Sequence, residues 1–151
     1  MCRFEDCGTK KIFPIRKELN NSFQVINPNF QYLCEVKVDG GLINTSEIKK
    51  CDWMYKILDT KNKALECYFL FKLKGKGKFD DVFEQFESTY NYLKSLDQVH
   101  SKVPRIAFAV STGIPKKNSQ TDKLSIRLKR NTGIDVKPIR SGIQIDLANH
   151  Y

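Results

Sequence analysis

Three residues combine the types and spacing for phosphate chemistry. Asp52 follows Cys51 in KKCDWMYKIL, and Lys72 and Lys74 sit two apart in ALECYFLFKLK. Both segments read as strands, and strand side chains alternate between faces. In the first, Cys51, Trp53, Tyr55 and Ile57 share the face opposite Asp52. In the second, Leu65, Cys67, Phe69, Phe71 and Leu73 share the face opposite Lys72 and Lys74. A short hairpin between the two strands puts Asp52 beside the lysine pair. A carboxylate and two ammonium groups at strand ends, followed by the basic stretch KGKGK with Lys76 and Lys78, can grip a phosphate. Other chemistry finds little support. His100 and His150 have no neighbours suggesting a triad. Cys2 and Cys7 lack the second pair that completes a zinc site, and Cys34, Cys51 and Cys67 lie in apolar, strand-like sequence as small hydrophobes. The expectation is reduced thiols in a cytoplasmic protein.

The elements that position these residues follow from periodicity. Residues 31–39, 50–58 and 64–74 read as a meander, with a turn at Asp39-Gly40-Gly41 and a hairpin over residues 59–63. Phe79, Val82, Phe83, Phe86, Tyr90 and Leu93 recur at helical spacing, so a helix runs over residues 79–96. Residues 105–110 (RIAFAV) form a buried strand, and residues 121–130 a short helix ended by Asn131-Thr132-Gly133. Residues 134–140 and 143–147 read as a final strand pair joined at Ser141-Gly142. Toward the N-terminus, residues 9–19 read as helical around Pro14, and the asparagines at 20, 21, 27 and 29 as turns and loop. The predicted order is α-β-β-β-α-β-α-β-β, an α/β class with a mixed sheet, in one domain spanning residues 1–151.

Charge points to the partner. The 151 residues carry 26 Lys and Arg against 17 Asp and Glu, a net charge of +9. Residues 101–151 hold ten basic and three acidic residues, a surplus of seven. Lys123, Arg127 and Arg130 fall on one stripe of the second helix, opposite Leu124 and Leu128. The loop Ser111-Thr112-Gly113 precedes Lys116 and Lys117. Such groups track a phosphate backbone, so nucleic acid is the expected partner, DNA before RNA. The longest apolar runs are five residues, far short of the roughly 20 a membrane helix needs. The stretch MCRFEDCGTKK lacks the apolar run of a signal peptide, so none is expected in it.

The segment from Lys50 to about Leu96 resembles the PD-(D/E)XK nuclease family, the restriction-endonuclease-like fold. That family sets an Asp on one strand of a meander, an acid-x-Lys on the next, and then a helix, in one branch bearing Gln. The resemblance implies that Asp52 takes the metal-binding position, Lys74 that of the catalytic Lys and Gln85 that of the helix Gln. It also implies Mg²⁺ as cofactor if the site cleaves. The chain departs from the pattern at Lys72, where the family expects an acid. At about 4 Å and an effective dielectric near 20, an ammonium group repels each charge of a divalent ion by about 4 kcal/mol. Lys72 is therefore expected to sit against Asp52 in the cation's place. An active nuclease would need its second acid from the helix, Glu84 or Glu87, or less readily from Glu66. The leading expectation is a degenerate nuclease fold that binds nucleic acid with little or no catalysis. The alternatives are an active Mg²⁺-dependent nuclease and a protein-interaction or immunity-type module for an acidic partner.

Overall fold

The computed structural model describes residues 4–74, 79–96, 102–113 and 118–151. Nine strands, two helices and a terminal 3-10 turn follow one another among them. They are β1 (Glu5–Gly8), β2 (Arg16–Glu18), β3 (Asn21–Ile26), β4 (Tyr32–Lys37), β5 (Trp53–Leu58), β6 (Leu65–Leu73), α1 (Asp81–Ser95), β7 (Arg105–Ser111), α2 (Ser119–Thr132), β8 (Asp135–Arg140), β9 (Ile143–Asp146) and the turn Leu147–His150. A six-stranded mixed sheet runs β1-β4-β5-β6-β7-β8, and a three-stranded sheet runs β2-β3-β9. In the large sheet β4, β5 and β6 form an antiparallel meander, after which β7 and β8 add in parallel through the helical crossovers.

Each face of the large sheet carries its own core. Tyr68, Leu70, Ala107 and Ala109 meet Val82, Phe86, Leu93 and Leu128 of the helices. The alternate residues Phe69, Phe71, Phe108 and Val110 meet Phe23 and Val25 of β3 and Ile145 of β9. The molecule is thus three layers deep: helices, large sheet, small sheet. β7 is buried at every position, as the apolar run at residues 106–110 requires of a strand covered on both faces. Its alanines lie under the helices and its larger residues under the small sheet.

The helices carry local signals. Asn118 and Thr121 form a reciprocal capping box at the start of α2, and Gly133 ends it with φ 75°. Arg105, buried at the start of β7, donates from Nη1 to Thr132 O (2.8 Å) and Tyr90 Oη (3.0 Å). This cation sits on the carbonyl end of α2 and ties it to α1.

Two expectations are corrected. Residues 9–19 form no helix. Phe13 turns into the core beside Tyr55, and Arg16–Glu18 hairpins onto β3 through Leu19, which has φ 52°. Pro14 denies this stretch a continuous helix, and Phe23 and Val25 alternate with polar residues, the two-residue period of a half-buried strand. The expected strand order therefore gains three N-terminal strands in place of one helix. The last two strands also do not pair with each other. Gly142, at φ 87°, redirects the chain between sheets, and β9 lies parallel to β3.

The long connection from β4 to β5 opens with a tight turn in which Leu42 N–H bonds Lys37 O and Ile43 N–H bonds Val38 O. A Cβ on Gly41 would lie 2.3 Å from Lys37 O. Gly41→Ala is expected to lower stability by about 1–3 kcal/mol through backbone displacement, read as a drop in the denaturant midpoint at unchanged slope.

Candidate functional site

Asp52 stands just before β5, where the chain enters the sheet. Its N–H donates to Phe71 O (2.9 Å), and its carbonyl accepts from Val38 N–H (3.0 Å). The carboxylate continues the ladder in place of backbone: Oδ2 accepts from Leu73 N–H at 2.7 Å. Oδ1 accepts from Lys72 Nζ at 3.2 Å. Asp52 is only 5% exposed, and the Lys72 side chain 14%. The preceding residue is pinned to α1, because Cys51 N–H donates to Thr89 Oγ1 (2.9 Å), whose hydroxyl donates to Gln85 O (2.8 Å). Cys51 thereby turns toward the helices rather than sharing the Trp53 and Tyr55 face.

Burial dominates the electrostatics. It pushes the Asp52 carboxyl up to about 6, against the Lys72 ammonium and the Leu73 N–H, which pull it down. The charge of Glu18, at the end of β2, adds to the upward push. Glu18, Lys17, Lys37, Asp39, Asp52, Trp53 and Leu73 line a cleft of about 280 Å³. Neither Glu18 nor Asp39 stands out in the sequence, since residues 16–18 are too short and polar to show a strand period and Asp39 reads as turn.

The remaining expected site residues are scattered. Lys74 is half-buried; its N–H donates to Val110 O (2.8 Å) and its carbonyl accepts from the Asn21 amide. Strand alternation puts its side chain on the Lys72 face. Glu84 is exposed and paired with Lys49 at 2.8 Å. Glu87 accepts from Asn131 Nδ2 (3.2 Å) and faces Arg127 (3.8 Å). Glu66 is exposed, and Gln85 is half-buried with its backbone carbonyl used by Thr89. None of these acids is among the groups acting on Asp52. Lys123, Arg127 and Arg130 are exposed along α2, with Leu128 buried and Leu124 half-buried beneath. Lys76, Lys78, Lys116 and Lys117 lie outside the described residues, as do Cys2 and His100.

Two further constellations carry no sequence signal. Glu35 of β4, 2% exposed, accepts from the Arg16 guanidinium and from Tyr55 Oη, and Arg16 stacks 4.0 Å from the Trp53 ring centroid. This buried network joins β2 to the large sheet. Cys7 and Cys34, opposite each other on β1 and β4, are joined as a disulfide. That corrects the expectation of reduced thiols throughout: the pairing depends on β1, which sequence pattern does not reveal. Cys51 and Cys67 stay free, and burial pushes each thiol up to about 12.

No family model, curated protein or solved structure matches the chain. Among the described residues, no helix is long and apolar enough to cross a membrane.

An Asp whose folded value lies above its unfolded one inverts the usual carboxylate linkage. As pH rises from about 4 to about 6 the unfolded chain releases this proton first, so the native state loses ground, by about 3 kcal/mol over the window. Asp52→Asn removes this titration. Denaturant melts across that window are expected to show the wild type falling relative to the variant, and parallel profiles would refute the assignment.

Proposed function

We propose that the chain is a degenerate nuclease-fold protein of the PD-(D/E)XK type that binds nucleic acid, DNA before RNA, and cleaves little or none of it. The observation that carries this reading is the ammonium of Lys72 on the carboxylate of Asp52. Two carboxylates at this place would hold Mg²⁺, which would activate water and offset charge on the phosphoryl oxygens. One carboxylate neutralised by an ammonium gives a divalent ion nothing to bind. The order β4-β5-β6-α1-β7, with Asp52 just before β5, Lys72 near the end of β6 and Lys74 just past it, supports the family likeness. The acids that could restore a metal site, Glu84 and Glu87, are engaged with Lys49, Asn131 and Arg127. The basic surplus and the exposed Lys123, Arg127 and Arg130 supply the affinity for a phosphate backbone.

Filter binding to duplex DNA across a salt series is expected to show affinity falling steeply with ionic strength. Replacing Lys123, Arg127 and Arg130 with Ala should lower the log–log salt slope by up to about 2.7, near 0.9 for each phosphate no longer neutralised. Mg²⁺ or Mn²⁺ should produce no cleavage. Chelator-sensitive cleavage abolished by Asp52→Ala would instead establish an active nuclease. Absence of binding at low salt, together with a stable heteromer in a pull-down, would establish a protein-interaction module.

Lys72→Glu restores the second acid. Calorimetry with Mn²⁺ is expected to show divalent binding in this variant and none in the wild type. A variant that folds and binds no Mn²⁺ defeats the family reading while leaving nucleic-acid binding to the salt titration.

A further inference from the structure

The edge strand β1 is held weakly by packing. Its four residues are half-buried or exposed, and none belongs to either core. Its backbone ladder to β4 is reinforced by side chains at one spot. Cys7 lies across from Cys34, and Cys34 in turn lies across from Lys56 of β5. Glu5, two residues before Cys7, shares its side of β1. The Glu5 carboxylate divides its oxygens: Oε1 accepts from Lys56 Nζ, while Oε2 lies 3.9 Å from Cys7 Sγ. The two sulfurs and the carboxylate oxygen all lie within 4.8 Å of one another.

Two sulfurs and one carboxylate oxygen form a donor set for a thiophilic divalent ion. A tetrahedral zinc with Zn–S bonds of about 2.3 Å and a Zn–O bond of about 2.0 Å puts its sulfurs about 3.8 Å apart and each about 3.5 Å from the oxygen. Reducing the disulfide lets the sulfurs separate toward that spacing, and the Cys7–Glu5 distance is already close to it. Charge also balances. Two thiolates and a carboxylate around Zn²⁺ leave one negative charge, which Lys56 meets through the oxygen the metal does not need. Cys7 is half-buried, which gives an ion a way in, while Cys34 is buried and holds the site rigid.

We propose that Glu5, Cys7 and Cys34 form a redox-gated zinc site, so that β1 is clamped to β4 by a disulfide when oxidised and by Zn²⁺ when reduced. A dithiol reductant opens the gate by thiolate attack on the S–S bond. Two electrons pass to Cys7 and Cys34, and the reductant closes to its own disulfide. Zinc then binds the two sulfurs and releases their protons to water. The open tetrahedral position is left to solvent.

The test uses the whole chain, reduced with a dithiol, freed of reductant without oxygen, and titrated with zinc against a chromophoric chelator. One zinc per chain is expected for the reduced protein and none for the oxidised one. Glu5→Gln should weaken uptake at least about tenfold. The double variant Cys7→Ser/Cys34→Ser should lose it, although Cys51 and Cys67 remain. Cobalt in place of zinc should give thiolate charge-transfer absorbance in the reduced wild type alone. Hydrogen exchange at residues 5–8 should be slow in the oxidised and zinc-loaded states, and fast after reduction with chelator. A reduced wild type that takes up no zinc, or a double variant that binds as tightly, overturns the proposal. Should the double variant fail to fold, the oxidised wild type and Glu5→Gln supply the same comparison.

Discussion

A carboxylate and an ammonium taken out of water together impose a constraint that much of this architecture meets. Asp52 and Lys72 are each almost wholly desolvated, and their attraction repays that cost only with good geometry and further hydrogen bonds. The Leu73 N–H provides one such bond to Asp52. It would otherwise be a buried donor without an acceptor, because the β5 ladder starts only at Trp53, opposite Phe71. The carboxylate therefore serves as a ladder acceptor first and as a charge second. That dual use fixes its orientation, and with it the side of the sheet from which Lys72 reaches it. Removing either partner strands a charge, so the pair is far more costly to break than it is valuable to have.

Holding the head of β5 in place requires elements from three layers. Cys51 is tied to α1 through Thr89, Asp52 to β4 and β6 through its backbone, and the end of β6 to β3 through Asn21. Those ties are rigid because β6 and β7 are sealed on both faces, by Phe23, Val25 and Ile145 of the small sheet on one side and by the helices on the other. Buried polar groups join the layers elsewhere by the same logic. Arg105 serves the carbonyl end of α2, and the Arg16–Glu35–Tyr55 network fastens the small sheet to the large one. In each case a long cationic side chain bridges layers that apolar packing alone would let slide.

What the sequence reveals and what it hides divide along contact range. The meander, the first helix, RIAFAV and the second helix each carry a local period or cap, and each lies within about three residues of its expected place. The Asp52–Lys72 contact is legible because it joins neighbouring strands through a hairpin of a few residues. β1 and β2 are not, for they are short and polar, and β3 shows its two-residue period only between asparagines that read as turns. β2 and β3 exist because the large sheet offers an apolar face that Phe13, Phe23 and Val25 cover, and β1 because β4 offers it an edge to pair with. Everything that depends on them is hidden in turn: the Cys7–Cys34 pair, the Glu35 network, the sheet switch at Gly142 and the acid Glu18 near Asp52.

The placement of charge bears on how such a scaffold would meet a polyanion. Around the cleft, Glu18, Asp39 and Asp52 are met by Lys17, Lys37, Lys50 and Lys72, the last two paired with Asp39 and Asp52, which is close to a balance of charge. A nearly balanced cleft concentrates neither a divalent cation nor a phosphate strongly, because most of its field cancels beyond a Debye length. The net positive charge must then be felt elsewhere, and the exposed basic stripe of α2 presents it on a rigid, capped helix. Under the proposed reading, phosphate contacts would fall to α2, while the Lys72 ammonium, anchored to the sheet, stands against the Asp52 carboxylate. Glu84 and Glu87 already answer to Lys49 and Arg127 and cannot turn inward without leaving those cations behind.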